Sequence, residues 1–406
     1  MTAESHRSGR RIVIAGGSFA GLGAAFTLRQ FLPTDDRVTV VEPSGQFVFA
    51  PSLIWAALGR PLIRSSFALE PTLSAKGIEH VRSHVRRVDL DRRLVETDDD
   101  SFAYDKLLIC TGGRPSGTGI PGIAEASRSN SFVAGLDSAE EVRWKLRALF
   151  SDPGPVVIGC AQEAGYHGAM YELALAIDCE LRRQGVRDRA PLTFITSEPY
   201  LGHLGFGHPA ARAKFEELFR ERDITWRAGV ALEAVRRDEV ALEGGELLPA
   251  KAVFIMPPFS GAVDVWKSQG LTDERGFVPV DEQYRHPEHH DVYAAGVASL
   301  FTHAVPPLAE RRAPHTGYLS IRMGKTAAQN IGASLGYATP ASRPLPYLVD
   351  VRIIDGGDAG LLLTSRGTLE LSSTATRLDG QLAHTLKSGV ERYLTWRLRT
   401  GRIELP

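Results

Sequence analysis

The stretch Arg11-Ile12-Val13-Ile14-Ala15-Gly16-Gly17-Ser18-Phe19-Ala20-Gly21-Leu22-Gly23 carries the plainest chemistry in the chain. Four apolar residues run into a glycine-rich turn, and the turn opens a helix of small residues. That arrangement sets a pyrophosphate on a helix N-terminus. Gly16 permits the tight turn, Ser18 lets the backbone approach the phosphates, and Gly21 lets the helix pack closely on its strand. Ser18 stands where the fingerprint has its second glycine, so the match is imperfect. A second strand, Arg37 to Val41, ends at Glu42, about 20 residues beyond the turn, where a carboxylate accepts from ribose hydroxyls. Turn and acid together predict a dinucleotide. The competing reading, a buried strand and turn with no ligand, leaves Glu42 without a reason.

These residues must be held by a sheet and helices, and the chain supplies both. Phe47 to Trp55 is apolar and aromatic, contains Pro51, and either lies against a flat ring or fills the core as a loop. Ile78 to Val81, Val85 to Leu90 and Leu94 to Glu96 read as short strands. Tyr104 to Cys110 reads as a buried strand that stops at Thr111-Gly112, where the backbone can run close to a cofactor. Ser138 to Phe150 is helical. Val156 to Gly159 then repeats the opening logic, a buried strand entering a small-residue turn and a helix through Leu181. This turn reads Gly159-x-Ala161-x-x-Ala164, without the second and third glycines, which disfavours tight pyridine-nucleotide binding. Glu198, after the strand Leu192 to Thr196, stands where an acid could hold a ribose, although Pro199 and the His203 loop suggest another task. Ala210 to Arg220 is an amphipathic helix, with strands near Thr225 to Trp226, Ala231 to Val235 and Val253 to Met256.

Asp291 to Gly296 gives another short strand ending in glycine. Thr316 and Gly317 open a long helix through Ile331, so their free N–H groups face whatever lies in front. The tail has β-like runs at Leu348 to Ile354 and Gly360 to Thr364. Its terminal helix, His384 to Arg399, has a face of Leu386, Val390, Tyr393, Leu394 and Leu398 flanked by Lys387, Arg392, Arg397 and Arg399. Such a face suits an anionic membrane, a partner, or the chain's own domain.

With 406 residues the chain exceeds one core and implies about two or three domains. Its 47 basic against 48 acidic side chains argue against nucleic acid as the main partner. The three cysteines, Cys110, Cys160 and Cys179, have no metal or disulfide spacing, and no metal is expected. Cys110, inside an apolar run, reads as a buried thiol. No removable signal and no run of roughly 18 apolar residues is visible, so the expected location is the cytoplasm, with peripheral membrane contact left open.

Longer motifs narrow the reading. Phe47-x-Phe49-x-Pro51-Ser52, Gln162 to Glu172 with its Gly168-x-x-Tyr171-Glu172 ending, Ser197 to Gly205, and Pro314-His315-Thr316-Gly317-Tyr318 follow one family's order and spacing. Over nearly its whole length the chain resembles the sulfide:quinone oxidoreductase and flavocytochrome c sulfide dehydrogenase family. The resemblance implies an α/β fold of two Rossmann-like domains of the glutathione reductase type with a small α+β C-terminal domain. The expected division is 1–150 and 285–338 for the FAD-binding domain, 151–284 for the second Rossmann-like domain, and 339–406 for the C-terminal domain. It implies FAD rather than NAD at the first turn. The cofactor-binding set is then Gly16, Gly17, Ser18, Ala20, Gly21, Glu42, Pro51, Val85, Thr111, Gly112, Gly296, His315, Thr316 and Gly317.

The family's chemistry rests on two cysteines. One lies six residues ahead of the glutamate, which here is Tyr166; the other aligns at or beside Arg352. A thiolate is needed to hold sulfane sulfur, and neither side chain supplies one. The usual glycine-aspartate contact to the flavin is Gly296-Val297, and the motif's usual lysine is His315. The expectation is an FAD-dependent oxidoreductase working without the redox disulfide, with the substrate beside Tyr166, Glu172, His203 and His315. Glu172 and His203 would move protons, Tyr166 would close a face, and His315 would offset charge at the flavin. For each, a satisfied buried polar group is the competing reading. Expected partners are a small-molecule electron donor, sulfur-containing by the resemblance, a quinone or protein electron acceptor, and a second copy of the chain. The alternatives are a type II NADH:quinone reductase-like enzyme and a non-catalytic electron-transfer or scaffold flavoprotein.

Overall fold

The computed structural model describes residues 9–61, 65–116, 119–123, 136–204, 208–261, 270–301, 316–342, 349–366 and 373–403. The glycine turn belongs to a five-stranded parallel sheet in the order Val292–Ala294, Lys106–Ile109, Arg11–Ala15, Arg37–Val41, Glu79–Val81. Its central strands read as unbroken apolar runs because helices cover both faces, and Ile12, Ile14, Leu107, Leu108 and Ile109 are fully buried. Helix Phe19–Phe31 packs on helix Gly317–Ser334 with the backbones almost touching. A Cβ at Gly324 would collide with Ala20 O, and one at Gly23 would lie 2.9 Å from Ile321 O. These glycines set the distance between the helix that starts the fold and the one that closes it.

A second parallel sheet runs Ile224–Ala228, Leu192–Thr196, Val156–Cys160, Ala252–Met256. Helices Leu136–Ser151, His167–Arg183 and Pro209–Glu221 accompany it. Strands Leu232–Val235, Glu239–Leu242 and Leu247–Pro249 form an antiparallel sheet over the other face, with their own apolar cluster. The last two of these strands escape the sequence reading because they are short and lie beside exposed turns. Leu271, Val278, Val280 and Tyr284 pack in the first core, with strand Val278–Val280 paired to Ser299–Phe301.

The C-terminal unit is an antiparallel sheet of Val349–Asp355, Ala359–Arg366 and Ser373–Asp379, followed by helix Gly380–Thr400. The third strand is a polar edge strand with no apolar alternation to announce it. The helix begins before His384 because Asp379 Oδ1 caps it, accepting the Leu382 N–H at 2.9 Å. The burial of the helix corrects the expected outer face. Leu394, Leu398 and Lys387 are buried, because they share the inward side with Ala383 and Glu391. The exposed apolar side is Leu382, Leu386, Val390, Tyr393 and Trp396. Among the described residues no helix is long and apolar enough to cross a membrane, and no group of three or more metal-ligating side chains is assembled.

Substituting Gly324→Val should force the two packed helices apart and cost about 3 kcal/mol or more. Urea unfolding followed by circular dichroism checks this, and an unchanged midpoint would count against the close helix contact.

Candidate functional site

The first turn is an open backbone cradle. Gly16 has φ +107°, and a Cβ there would run into Cys110 O. Gly21 has no room for a Cβ because Gly16 O lies against it. Ser18 has φ −94°, which any residue adopts, so the imperfect position in the fingerprint costs no strain. The helix ladder starts with Leu22 N–H to Ser18 C=O, which leaves the amides of Phe19, Ala20 and Gly21 ahead of it. Glu42 is fixed at the strand end by Ser44 Oγ at 3.0 Å and the Gly45 N–H at 2.8 Å.

The returning segments close on this turn. Gly112 has φ +71° with open space where its Cβ would be, and Thr111 beside it is exposed. Gly296 has φ +73° and approaches Ala20, where its Cβ would lie 3.0 Å from the alanine methyl. Thr316 Oγ1 caps the last Rossmann helix at 3.3 Å, and a Cβ on Gly317 would lie 2.6 Å from the Phe19 ring. Phe47 and Phe49 are buried edge-on to Phe19 at 5.0 and 5.6 Å, so this segment fills the core, while Pro51 is exposed in a 3-10 turn. Val85 opens the short antiparallel strand Val85–Asp89, half-buried. His315 lies outside the described residues. Free helix amides, a left-handed glycine over open space and an acid at the neighbouring strand end fit a dinucleotide such as FAD.

The second turn is built differently. Its helix begins at His167, well after the strand ends at Cys160. The intervening loop is tied down internally. Ala161 N–H donates to Met256 O at 2.9 Å, Phe259 N–H donates to Glu163 O at 3.1 Å, and Ala164 bridges to Pro258. Gln162 exchanges two hydrogen bonds with the Leu232 backbone, both at 3.1 Å. Of the two tasks open to Glu198, the structure shows the one other than holding a ribose. Its carboxylate is buried and accepts the Tyr171 hydroxyl at 2.7 Å and the Thr196 hydroxyl at 3.1 Å. His203 belongs to this group, with Nδ1 4.0 Å from Glu198 and its ring against Tyr200.

Tyr166, Arg352 and Glu172 are placed at successive points along helix His167–Arg183. Tyr166 precedes the helix and sets its ring edge-on to Phe259 at 5.1 Å; burial pushes its phenol up to about 12. Phe259 in turn reaches Gly113, where a Cβ would lie 3.3 Å from its ring and 3.1 Å from Val297. Arg352 comes in from the C-terminal sheet, its Nη1 3.7 Å from where a Gly168 Cβ would sit. One turn further on, Glu172 is buried in an ion pair with Lys387 and accepts the Asp355 N–H. Burial pushes its carboxyl up to about 7, with Lys387 opposing the rise and the Asp355 charge adding to it.

Sequence reasoning missed the rest of this cluster. Lys387 sits 5.1 Å above the Trp55 ring. Trp55 Nε1 donates to Asp355 Oδ2 at 3.2 Å, and His384 Nδ1 lies 2.9 Å from the same oxygen. Glu391 accepts the Ser52 hydroxyl at 2.7 Å and the Ser65 hydroxyl. The signal was present in the spacing of His384, Lys387 and Glu391, which share one side of a helix whose other side is apolar. The three thiols stand apart from this chemistry. Cys110 and Cys160 are buried and Cys179 half-buried, and burial pushes all three up, away from the thiolate form.

A family profile for pyridine nucleotide-disulphide oxidoreductase matches residues 10–311. The chain belongs to that family. The sulfide-quinone reductase of Aquifex aeolicus is 32% identical over 409 residues, spanning 97% of this chain and 92% of that protein. The crystal structure of sulfide:quinone oxidoreductase from Aquifex aeolicus superposes with a TM-score of 0.87 at 31% identity, covering 98% and 93% of the two chains. An NADH dehydrogenase-like protein of Mycobacterium tuberculosis is 25% identical over 374 residues, 87% of each chain. This member of the pyridine nucleotide-disulphide oxidoreductases is therefore an FAD-dependent oxidoreductase with the two-domain Rossmann fold.

Glu172 links folding to pH with a definite sign. Its folded value lies above that of an unfolded-chain glutamate, so its contribution is complete below the unfolded value and is lost as pH rises towards about 7. Between about pH 4.5 and about pH 7 the wild-type chain should lose on the order of 3 kcal/mol more stability than Glu172→Gln. Urea titrations across that range check this, and parallel pH profiles would remove Glu172 from the account.

Proposed function

We propose that this oxidoreductase carries electrons from a small donor, through FAD, to a quinone-type acceptor, with Glu172 exchanging the accompanying proton and no chain disulfide taking part. The observation that carries the reading is the buried Glu172–Lys387 pair at the junction of the second domain and the terminal helix. Bound FAD would supply the two-electron chemistry. A quinone that takes up electrons also takes up protons, which calls for a group holding a proton near neutral pH in a dry wall. Glu172, raised to about 7, fits that task, and Lys387 fits the task of offsetting negative charge. The likeness to the Aquifex sulfide-quinone reductase supports this acceptor class.

On the donor side, the positions that the resemblance gives to two cysteines are Tyr166 and one at or beside Arg352. Tyr166 stays neutral and closes the wall beside Phe259. Cys110 and Cys160 are buried, Cys179 is half-buried, and burial pushes all three thiols up, so on this reading donor oxidation does not pass through a persulfide on them. NADH is the competing donor, favoured by the NADH dehydrogenase-like relatives. The internally bonded second turn and the sequestered Glu198 speak against it. Bleaching of the flavin by NADH within the stopped-flow mixing time would make it the better reading.

The acceptor also suits the terminal helix. Leu382, Leu386, Val390, Tyr393 and Trp396 line its exposed side, with Arg397 over the Tyr393 ring and Arg402 over the Trp396 ring, both at 5.5 Å. An apolar stripe bordered by arginines fits the headgroup layer of an anionic membrane, where quinones dissolve.

The triple variant Cys110→Ala, Cys160→Ala, Cys179→Ala should keep its turnover with whichever of sulfide, polysulfide or thiol reduces the flavin, measured by quinone reduction; abolished turnover in a folded triple variant would restore a thiol mechanism. The pair Leu386→Glu and Tyr393→Glu should lower co-sedimentation with anionic vesicles while leaving the melting temperature unchanged.

A further inference from the structure

The glycine turn that fits FAD is braced from outside by the segment after Glu42. Strands Gln46–Val48 and Ser66–Ala68 pair antiparallel, with Phe47 opposite Phe67. The Phe47 and Phe49 rings stand edge-on to Phe19, the first residue of the helix that leaves the turn. Leu69, just past the second strand, lies against the turn itself, since a Cβ on Gly17 would sit 2.9 Å from Leu69 Cδ1. Phe47, Phe49 and Leu69 are all buried. Gly17 and Phe19 flank Ser18 at the start of the helix, so the direction of the leading amides follows the placement of this hairpin.

The hairpin is held at one residue. The Phe49 N–H donates to Ser65 O at 2.7 Å, and Phe49 O accepts the Ser52 N–H at 3.0 Å. Both backbone polar groups of Phe49 are thus taken by Ser52 and Ser65. The hydroxyls of the same two serines donate to one oxygen, Glu391 Oε1, Ser52 at 2.7 Å. All three side chains are buried. Glu391 stands on the terminal helix, 339 residues after Ser52. Hydrogen bonds to a carboxylate are stronger than neutral ones, and in a buried site water does not compete for them. A single atom of the terminal helix therefore closes the two feet of the loop that carries Phe49.

We infer that Glu391 is a positioning residue for FAD. It fixes Phe49 through Ser52 and Ser65, and Phe49 with Phe47 and Leu69 fixes the turn that receives the pyrophosphate. The inference rests on the reading of the Gly16 turn as the FAD seat; it uses neither Glu172 nor the identity of the electron acceptor. Glu391 touches no reacting atom, and its effect is on how tightly the cofactor is held. Lys387, one turn earlier on the same helix, meets the same loop further along, at the Trp55 ring. Thr395, one turn later, is buried on the same side, and its hydroxyl has no partner among the described residues. It therefore serves as a control for changes to that side of the helix.

The test uses the full-length chain, with FAD removed and rebound. Calorimetric titration gives the FAD dissociation constant, and hydrogen exchange at saturating FAD, read by mass spectrometry over residues 46–69, reports on the hairpin. Glu391→Ala should raise the dissociation constant at least about tenfold and speed exchange over 46–69. Glu391→Gln, whose amide oxygen still accepts from both hydroxyls, should bring both readouts back close to wild type, while Glu391→Asp, one methylene shorter, should not. Ser52→Ala with Ser65→Ala should reproduce the loss, and adding Glu391→Ala to that pair should cost no more. Thr395→Val should change neither readout. A helix staple of purely structural value would lower the melting temperature of Glu391→Ala and leave its FAD affinity and its 46–69 exchange at wild-type values. That result, additive losses in the triple variant, or a Thr395→Val loss as large as that of Glu391→Ala would overturn the inference. Where Glu391→Ala does not fold, the serine pair and the contrast between Glu391→Gln and Glu391→Asp decide on the same readouts. Ser18→Asp keeps a helix-capping side chain at an exposed position and sets a charge against the phosphates, so it should abolish FAD binding. Wild-type FAD affinity in Ser18→Asp would remove the turn as the seat and the inference with it, whereas faster exchange over 46–69 in Glu391→Ala with unchanged affinity counts against Glu391 alone.

Discussion

Glu172 has one place to put its charge, and the assembly of the protein depends on it. The residue lies on helix His167–Arg183, its cation on the terminal helix, its backbone donor on the C-terminal sheet, and the indole against that cation on the short helix Leu53–Ala57. Four chain segments far apart in sequence meet around one buried ion pair. Breaking such a pair from one side typically costs about 3–5 kcal/mol, because the remaining charge is left without water. The same desolvation lifts the carboxyl to about 7, so the contact that joins these segments also sets the group's protonation near neutral pH.

The two Rossmann turns show how similar sequence patterns diverge once backbone groups are accounted for. In the first, the helix starts directly after the turn, its leading amides precede the ladder, and Gly112 leaves open space nearby. In the second, the longer loop satisfies its own polar groups against Met256, Pro258 and Leu232, and the acid at the next strand is consumed by Tyr171 and Thr196. A dinucleotide needs unclaimed N–H groups at a helix end, and the first turn offers them.

The terminal helix joins both themes. Its inward polar residues, His384, Lys387 and Glu391, serve the buried cluster, while its outward apolar residues remain exposed. A helix that is amphipathic in this inverted sense holds its charges inside because each has a specific partner. It leaves Leu386, Val390 and Trp396 exposed.

The sequence by itself determined the parts that depend on local steric and hydrogen-bonding demands. The strand-turn-helix at Gly16 to Gly21, the acid at Glu42, the alternation of strands and helices, and the loss of glycines at Ala161 and Ala164 all follow from what a backbone needs within a few residues. Family membership was equally legible, since the spacing from Gln162 to Glu172 and from Thr316 to Tyr318 survives in the linear chain. The inward partners were decided only by tertiary structure. Local sequence hints at both, through Pro199 beside Glu198 and the spacing of Lys387 with His384 and Glu391, but it names no partner; Lys387 is buried against Glu172 across the interface, and Glu198 accepts from Tyr171. A charge's role depends on which opposite group it meets after folding, and that meeting is set by packing between segments far apart in the chain.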